Sequence, residues 1–484
     1  MDDVSNNKKL KSKNAQFVAP ASLNYKTGID RQFTATVILL LCMGTVMIFS
    51  ASYAFAMENN GDSFFFAKRQ VLWVALGLIA MFVASRPYRF YRSPFVVNGV
   101  MAVALLLMVL VLAVGTAEDV TKGATRWLYI GPISFQPSEF LKFAVILYFS
   151  KYIMKYSDKI ASPFNFKNFL RYGAFEFIII GIGVCIAAFP MIINSIFEEK
   201  TQQVYQAAAQ AGEVVEQSKS VMGIFDWFFY IVGAAVIVIG ILAIFRFDCI
   251  KKSPDFYYGV VPYVIVLLIC GVLLFLQPHM SGMIIIGLII FMMMWLGGTR
   301  WQYLAMGGVA GGCAMALLLT MKSHSSGRLQ VWLDPFKYLK GGGWQPAQSL
   351  YAIGSGGFWG VGYGNSRQKH LYLPEPQNDY IFSILCEEMG FIGALIVMSV
   401  FIYLIYRGIV IALKSPDLFW KMLVVGIMGQ VAIQVILNIA VVTNTIPSTG
   451  ISLPFFSYGG TSLIILMGEM GVVLSVSRYS LTKK

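Results

Sequence analysis

Charge is what this chain has least of. Only 13% of its 484 residues are Asp, Glu, Lys or Arg, whereas 57% are hydrophobic and the mean hydropathy is +0.69. That is too little polar surface to cover a water-soluble globule, which excludes a soluble multidomain protein. Acid is scarcer than base, 24 residues against 37, for a net charge of +13. No basic domain gathers the excess, so positive-inside bias and attraction to anionic lipid account for it and no nucleic-acid partner is expected. Cysteine is sparse too: Cys42, Cys185, Cys270, Cys313 and Cys386 stand singly in apolar runs and Cys249 in a basic loop. No C-x-x-C or His/Cys ligand spacing occurs, so neither a disulfide framework nor a structural metal site is expected. The glycine-rich runs do not fit the phosphate-loop pattern.

Long hydrophobic runs, by contrast, are abundant. A helix rising about 1.5 Å per residue needs roughly 20 apolar residues to cross about 30 Å of hydrocarbon. Such runs fall at 33–56, 70–86, 95–115, 137–155, 173–195, 225–246, 257–276, 281–297, 301–320, 379–406, 418–442 and 459–477. They predict an all-α polytopic integral membrane protein of about twelve transmembrane helices. Residues 70–86 and 281–297 are short, and Gln277-Pro278 is alternatively a re-entrant break. The first 32 residues read as a cytoplasmic tail rather than a cleaved signal, residues 33–478 as one membrane domain, and 479–484 as a short cytoplasmic end. Alternate loops, "RPYRFYR", "KYIMKYSDK", "RFDCIKK", "YRG" and "SRYSLTKK", are basic, which places both termini in the cytoplasm.

The opposite loops include 116–136, an acidic, helix-prone spacer or partner surface at 196–222, and a large loop at 321–378. The last carries Trp332, Trp344 and Trp359 among its glycines, a mixture that predicts packed structure or interfacial anchoring. It ends in "LPEPQNDYIFSILCEEMG". There Asp379 opens an apolar run and reads either as a helix N-cap or as a general base whose burial raises its pKa toward the working pH. Asp379, Ser383 and Glu387 are spaced to share one helix face, so Glu387 and its neighbour Glu388 mark either an internal polar site or a structural ion pair. Glu139 and Lys142, three apart in "QPSEFLKF", form either a structural pair or a unit in which Lys142 meets a lipid-borne phosphate. Arg126, Arg328, Arg367 and Lys369 add cations suited to a diphosphate. A substrate with a hydrophobic tail and an anionic head would use all of these.

Three stretches carry a family resemblance: "GATRWLYIGPISFQPSEFLKF", "QSLYAIGSGGFWGVGYGNSRQKHLYLPEPQNDYIFSILCEEMGFIG" and "IPSTGISLPFFSYGGTSLIILMGEMGVVLSV". With "GTVMIFSASY" and "KRQVLWVALGLIAM" they resemble, in order, the blocks of the FtsW/RodA (SEDS) family over most of residues 30–480. The resemblance implies ten family-like helices plus an inserted pair and its outer loop at about 173–246. It implies a bacterial peptidoglycan glycosyltransferase of the cytoplasmic membrane, polymerising lipid II at the outer face. Asp379 falls at the family's catalytic aspartate, and Glu375, Lys369, Glu387, Glu139, Lys142 and Ser457 fall at cavity or supporting positions. "GNSRQK" and "LPEPQND" look more like the division and sporulation branch than the elongation branch. The implied partners are a class B penicillin-binding protein transpeptidase, other division proteins and membrane lipid. The resemblance names no definite cofactor and leaves open a divalent cation assisting the diphosphate. The chain departs from the family in having His279 where an aspartate is usual. A lipid II flippase, an elongation-type polymerase and a non-catalytic scaffold are the alternative readings. The lack of an internal repeat weighs against a carrier.

Overall fold

The computed structural model describes residues 28–86, 89–114, 126–130, 133–162, 253–277, 279–321 and 330–479. The expected inserted pair at 173–246 and Arg328 lie outside the described residues. The long helices are α1 (Arg31–Asn60), α2 (Phe65–Ala84), α3 (Pro94–Val114) and α4 (Pro137–Ile160), then, after the short α5 (Pro254–Gly259), α6 (Val261–Leu276), α7 (Met280–Leu296) and α8 (Trp301–Met321). After α9 (Trp344–Gly356) come α10 (Ile381–Leu413), α11 (Leu418–Val442) and α12 (Gly460–Ser477). Every predicted run among the described residues is thus a helix, within about five residues of its expected bounds except that α10 continues to Leu413 rather than ending at 406. Among the described residues, seven helical spans are long and apolar enough to cross a membrane. Helix α4 is not one of them, because it carries Glu139 and Lys142 near one end and Lys151, Lys155, Asp158 and Lys159 near the other.

Each helix presents one face to a shared apolar core, where Phe33, Leu40, Ile48, Phe149, Phe401 and Trp420 are fully or almost fully buried. Many opposite-face residues, such as Leu106, Val83 and Ile402, are exposed, as befits helices whose solvent is lipid. One end of the bundle is pinned by polar caps that double as ion pairs. Asp30 accepts from Phe33 N of α1 at 2.9 Å and pairs with Arg407 at 2.5 Å. Asp417 caps α11 through Trp420 N at 3.2 Å and pairs with Arg92 at 2.6 Å. At the same end Arg300 donates to the carbonyls of Ala161 and Ser162, so the chain leaves the described part at 162 and re-enters it at 253 on one side.

The other end is built from loops. A two-stranded antiparallel hairpin, β1 (Leu128–Ile130) with β2 (Ile133–Phe135), leads into α4 and is tied to α12 where Thr461 Oγ1 donates to Ser134 O at 3.0 Å. In the large loop, Trp332 and Asn444 exchange hydrogen bonds of 3.0 Å, Trp344 Nε1 donates to Tyr372 O, and Ser349 Oγ donates to Val442 O at the end of α11. The predicted packing role holds for Trp332, which is half-buried, but not for Trp344 and Trp359, which are exposed. The glycine run after α9 has a specific cause. Helix α10 breaks at Gly390 (φ 66°, ψ −170°), and the freed backbone pairs with residues 357–362: Val361 N to Glu387 O at 2.9 Å, Gly362 N to Glu388 O at 3.0 Å and Phe391 N to Gly357 O at 2.9 Å. A side chain at Gly360 would stand 2.2 Å from Glu388 O, so only glycine permits the approach.

Candidate active site

Asp379 lies at the loop end of the bundle, two residues before α10 starts. This corrects the N-cap reading: the cap position is Tyr380, with no side-chain cap bond, and Asp379 is off the helix. Ser383 and Glu387 still lie four apart on α10, but Asp379 does not continue their face, and Ser383 Oγ is used on Tyr380 O at 2.6 Å. The Asp379 carboxylate is partly buried, and no described group donates a hydrogen bond to it. Burial first, and then the neighbouring Glu375, push its carboxyl up to about 6, while Arg126 pulls the other way. Glu375 itself takes a positive φ of 45° and is held by Asn378 Nδ2 at 2.8 Å.

Arg126 links this carboxylate to a second group of residues, because its charge also acts on His279 just before α7. Burial, then Arg126 and Lys142, hold His279 down at about 3, so its ring is neutral and sits 3.4 Å from Gln136 Nε2. In α4, Lys142 and Glu139 pair at 2.7 Å with the lysine side chain only 2% exposed. Proline at the start of α4 sets its first turn, so the two acidic and basic residues three apart stack on one face. Beneath them is a cavity of about 30 Å³, enough for about two waters, lined by Glu139, Gln430, Gln434, Ser457, Ser462 and Glu469. Gln430 Nε2 donates to both oxygens of buried Glu469 at 3.1 and 3.0 Å.

Helix α11 joins the two levels. Gln430, Gln434 and Asn438 recur every four residues and so form one polar stripe about 12 Å long. Its upper end meets Asp379, whose carbonyl accepts from Asn438 Nδ2 at 2.8 Å, and its lower end meets Glu469. Of the residues expected at the site, Asp379, Glu375, Arg126, Lys142, Glu139 and Ser457 therefore gather around one polar column. Gln430, Gln434, Asn438 and Glu469 were not singled out from the sequence.

The remaining expected residues form a separate cluster. Lys369 is buried, with its three donors on Ser50 Oγ at 3.1 Å, Gly364 O at 2.6 Å and Glu388 Oε1 at 2.8 Å. No donor is left for a phosphate, which corrects the expectation that it binds one. Glu387 accepts from Ser366 Oγ, from Arg367 N at 2.9 Å and from Gln368 N, so it holds the loop rather than facing a ligand. Arg367 has an exposed side chain above this cluster. Among the described residues, no group of three or more His, Cys, Asp or Glu is arranged to hold a metal ion.

Comparison with known proteins places this geometry. The profile of the cell cycle protein family FtsW/RodA/SpoVE matches residues 30–194 and 222–482. Stage V sporulation protein E of Bacillus subtilis (strain 168) is 34% identical over 456 residues, covering 94% of this chain and 98% of that protein. A probable peptidoglycan glycosyltransferase FtsW of Trichlorobacter lovleyi is 30% identical over 442 residues, 91% of each chain. Among solved structures, a chain of a peptidoglycan synthase complex that coordinates polymerization and crosslinking superposes with a TM-score of 0.60 at 21% identity, over 93% of this chain and 98% of that one. The rod shape determining protein RodA of Thermus thermophilus superposes with a TM-score of 0.55 at 21% identity, over 93% and 97%.

Proposed function

The chain belongs to the FtsW/RodA/SpoVE family of cell cycle proteins, and from that premise we propose that it is a multi-pass membrane peptidoglycan glycosyltransferase that polymerises lipid II into β-1,4 glycan strands. The observation that carries the mechanism is Asp379: a partly buried carboxylate with no donor upon it, its pKa raised to about 6, at the loop end of the bundle. A group so poised is ionised at neutral pH yet basic enough to take a proton from a sugar hydroxyl. One lipid II supplies that 4-hydroxyl. The oxygen attacks the anomeric carbon of the other from the face opposite its lipid diphosphate, the carbon–oxygen bond to the diphosphate breaks, and the α-linked donor becomes a β-linked product. Arg126, within electrostatic reach of Asp379, supplies positive charge for the departing diphosphate, whereas the charge of Lys142 is balanced by Glu139. The names of the relatives, FtsW and a sporulation protein, support septal wall synthesis. The match to a synthase complex supports a class B penicillin-binding protein as the crosslinking partner. The basic end of the bundle then faces the cytoplasm, with both termini there and Asp379 outside.

The test is polymerisation of labelled lipid II by purified protein, alone and with its transpeptidase. We expect glycan polymer from the wild type and none from Asp379→Asn of equal monodispersity and melting temperature. Full-rate polymer from Asp379→Asn would refute the base. Lipid II translocation in liposomes without polymer would make the protein a carrier.

A further inference from the structure

A base that lies off its helix needs something else to fix it. Asp379 precedes α10, so no helical turn sets its backbone, and no described donor grips its carboxylate. Two residues earlier, Gln377 O accepts from Tyr458 N at 2.9 Å, but at Asp379 itself the described contact is with one side chain. The amide nitrogen of Asn438, a residue with no exposed surface, donates one hydrogen to Asp379 O at 2.8 Å and the other to Ile451 O at 2.7 Å. Two carbonyls at one nitrogen require two hydrogens on it. An asparagine meets that demand, serine or threonine offers one donor, and aspartate offers repulsion. The other end of the amide, Asn438 Oδ1, is buried without a described hydrogen-bond partner. An amide that leaves its acceptor unused carries a cost, so its two donors are the reason for its presence. The bond to Ile451 brings in the loop between α11 and α12. There Gly450 takes φ +69°, and a Cβ on it would stand 3.1 Å from Asp379 Oδ2.

We propose that Asn438 and Gly450 are positioning residues for Asp379: the amide clamps the segment bearing the base to the loop facing it, and the missing side chain of Gly450 leaves the space that the carboxylate occupies. This deepens the reading of Asp379 as the base and rests on it. Each residue touches the protein around the base and neither is required to touch substrate, so disturbing them alters proton transfer rather than substrate capture. A displacement of about 1 Å at a reacting group costs roughly 100-fold in rate, and the loss appears in kcat.

The experiment is steady-state lipid II polymerisation by the full-length protein with its transpeptidase, comparing wild type, Asn438→Ala, Gly450→Ala and Asp379→Asn. We expect kcat to fall at least about tenfold in Asn438→Ala and Gly450→Ala while KM stays within about twofold. Because Asn438 is in the core, Gly450→Ala, in a loop, decides the matter if Asn438→Ala does not fold. Wild-type kcat in the folded variants, or a raised KM with kcat unchanged, overturns the proposal. If Asp379→Asn is inactive and these variants are not, only the clamp is wrong. If Asp379→Asn polymerises normally, the base is wrong and the clamp falls with it.

Discussion

A carboxylate accepts a proton only after losing its own, so the raised pKa of Asp379 has a direct kinetic signature. Below about pH 6 the group is protonated and idle, and above it the group is ionised and active. The acid limb of kcat/KM should therefore lie near 6 rather than at about 4, where an unperturbed aspartate would put it. Its neighbours should move it in opposite senses. Removing the negative charge of Glu375 with Glu375→Gln should shift the limb to lower pH, and removing the positive charge of Arg126 with Arg126→Gln should shift it to higher pH. A pH series of polymerisation rates for the three proteins checks both signs, and limbs that coincide would mean that Asp379 is not the group titrating. Glu139, Lys142 and Asp379 were legible in the sequence because a charge in or beside an apolar run is conspicuous. Glu375 followed from the family resemblance, whereas Glu469, equally conspicuous within α12, was passed over. Gln430, Gln434 and Asn438 were not legible in this way, since a neutral amide carries no charge to mark it within an apolar run. Their spacing of four was the signal that was available.

The break in α10 shows how an element can be arranged around its own defect. Gly390 frees backbone groups that residues 357–362 then satisfy, and the Glu387 and Glu388 side chains fasten the rest of the loop. The sequence announced the glycines and the paired acids, yet a helix read from hydropathy runs straight through residue 390, because periodicity is blind to a single positive φ. The Lys369–Glu388 pair is nearly wholly buried, with side chains 4% and 0% exposed. Lys369→Met strands a buried carboxylate and should destabilise the protein by about 3–5 kcal/mol. Lys369→Met combined with Glu388→Gln removes both charges and should recover much of that loss. Thermal melting of the detergent-solubilised proteins, with polymerisation measured alongside, tests this. If the single variant kept its melting temperature but lost activity, Lys369 would be acting on substrate rather than on the loop.

For the molecule as a whole, hydropathy located every membrane helix among the described residues, because bilayer thickness fixes length and composition together. It missed α9 and the β1–β2 hairpin, which lie in the loops at one end and are short, with stability supplied by the helix ends beneath them. What the bundle adds is polarity from end to end. Arg92, Lys151, Arg300, Arg407 and Lys414 are at one end, and Asp379, Glu375 and the large loop are at the other. The positive-inside rule turns that asymmetry into a sidedness. In a chain whose native cysteines have been replaced, Tyr372→Cys, at an exposed site in the large loop, should react with a membrane-impermeant maleimide in intact spheroplasts. Lys414→Cys, exposed between α10 and α11, should react only after permeabilisation. The opposite pattern would turn Asp379 toward the cytoplasm. Polymer made there would have to cross the bilayer to reach the wall, so outer-face synthesis by this protein would no longer stand.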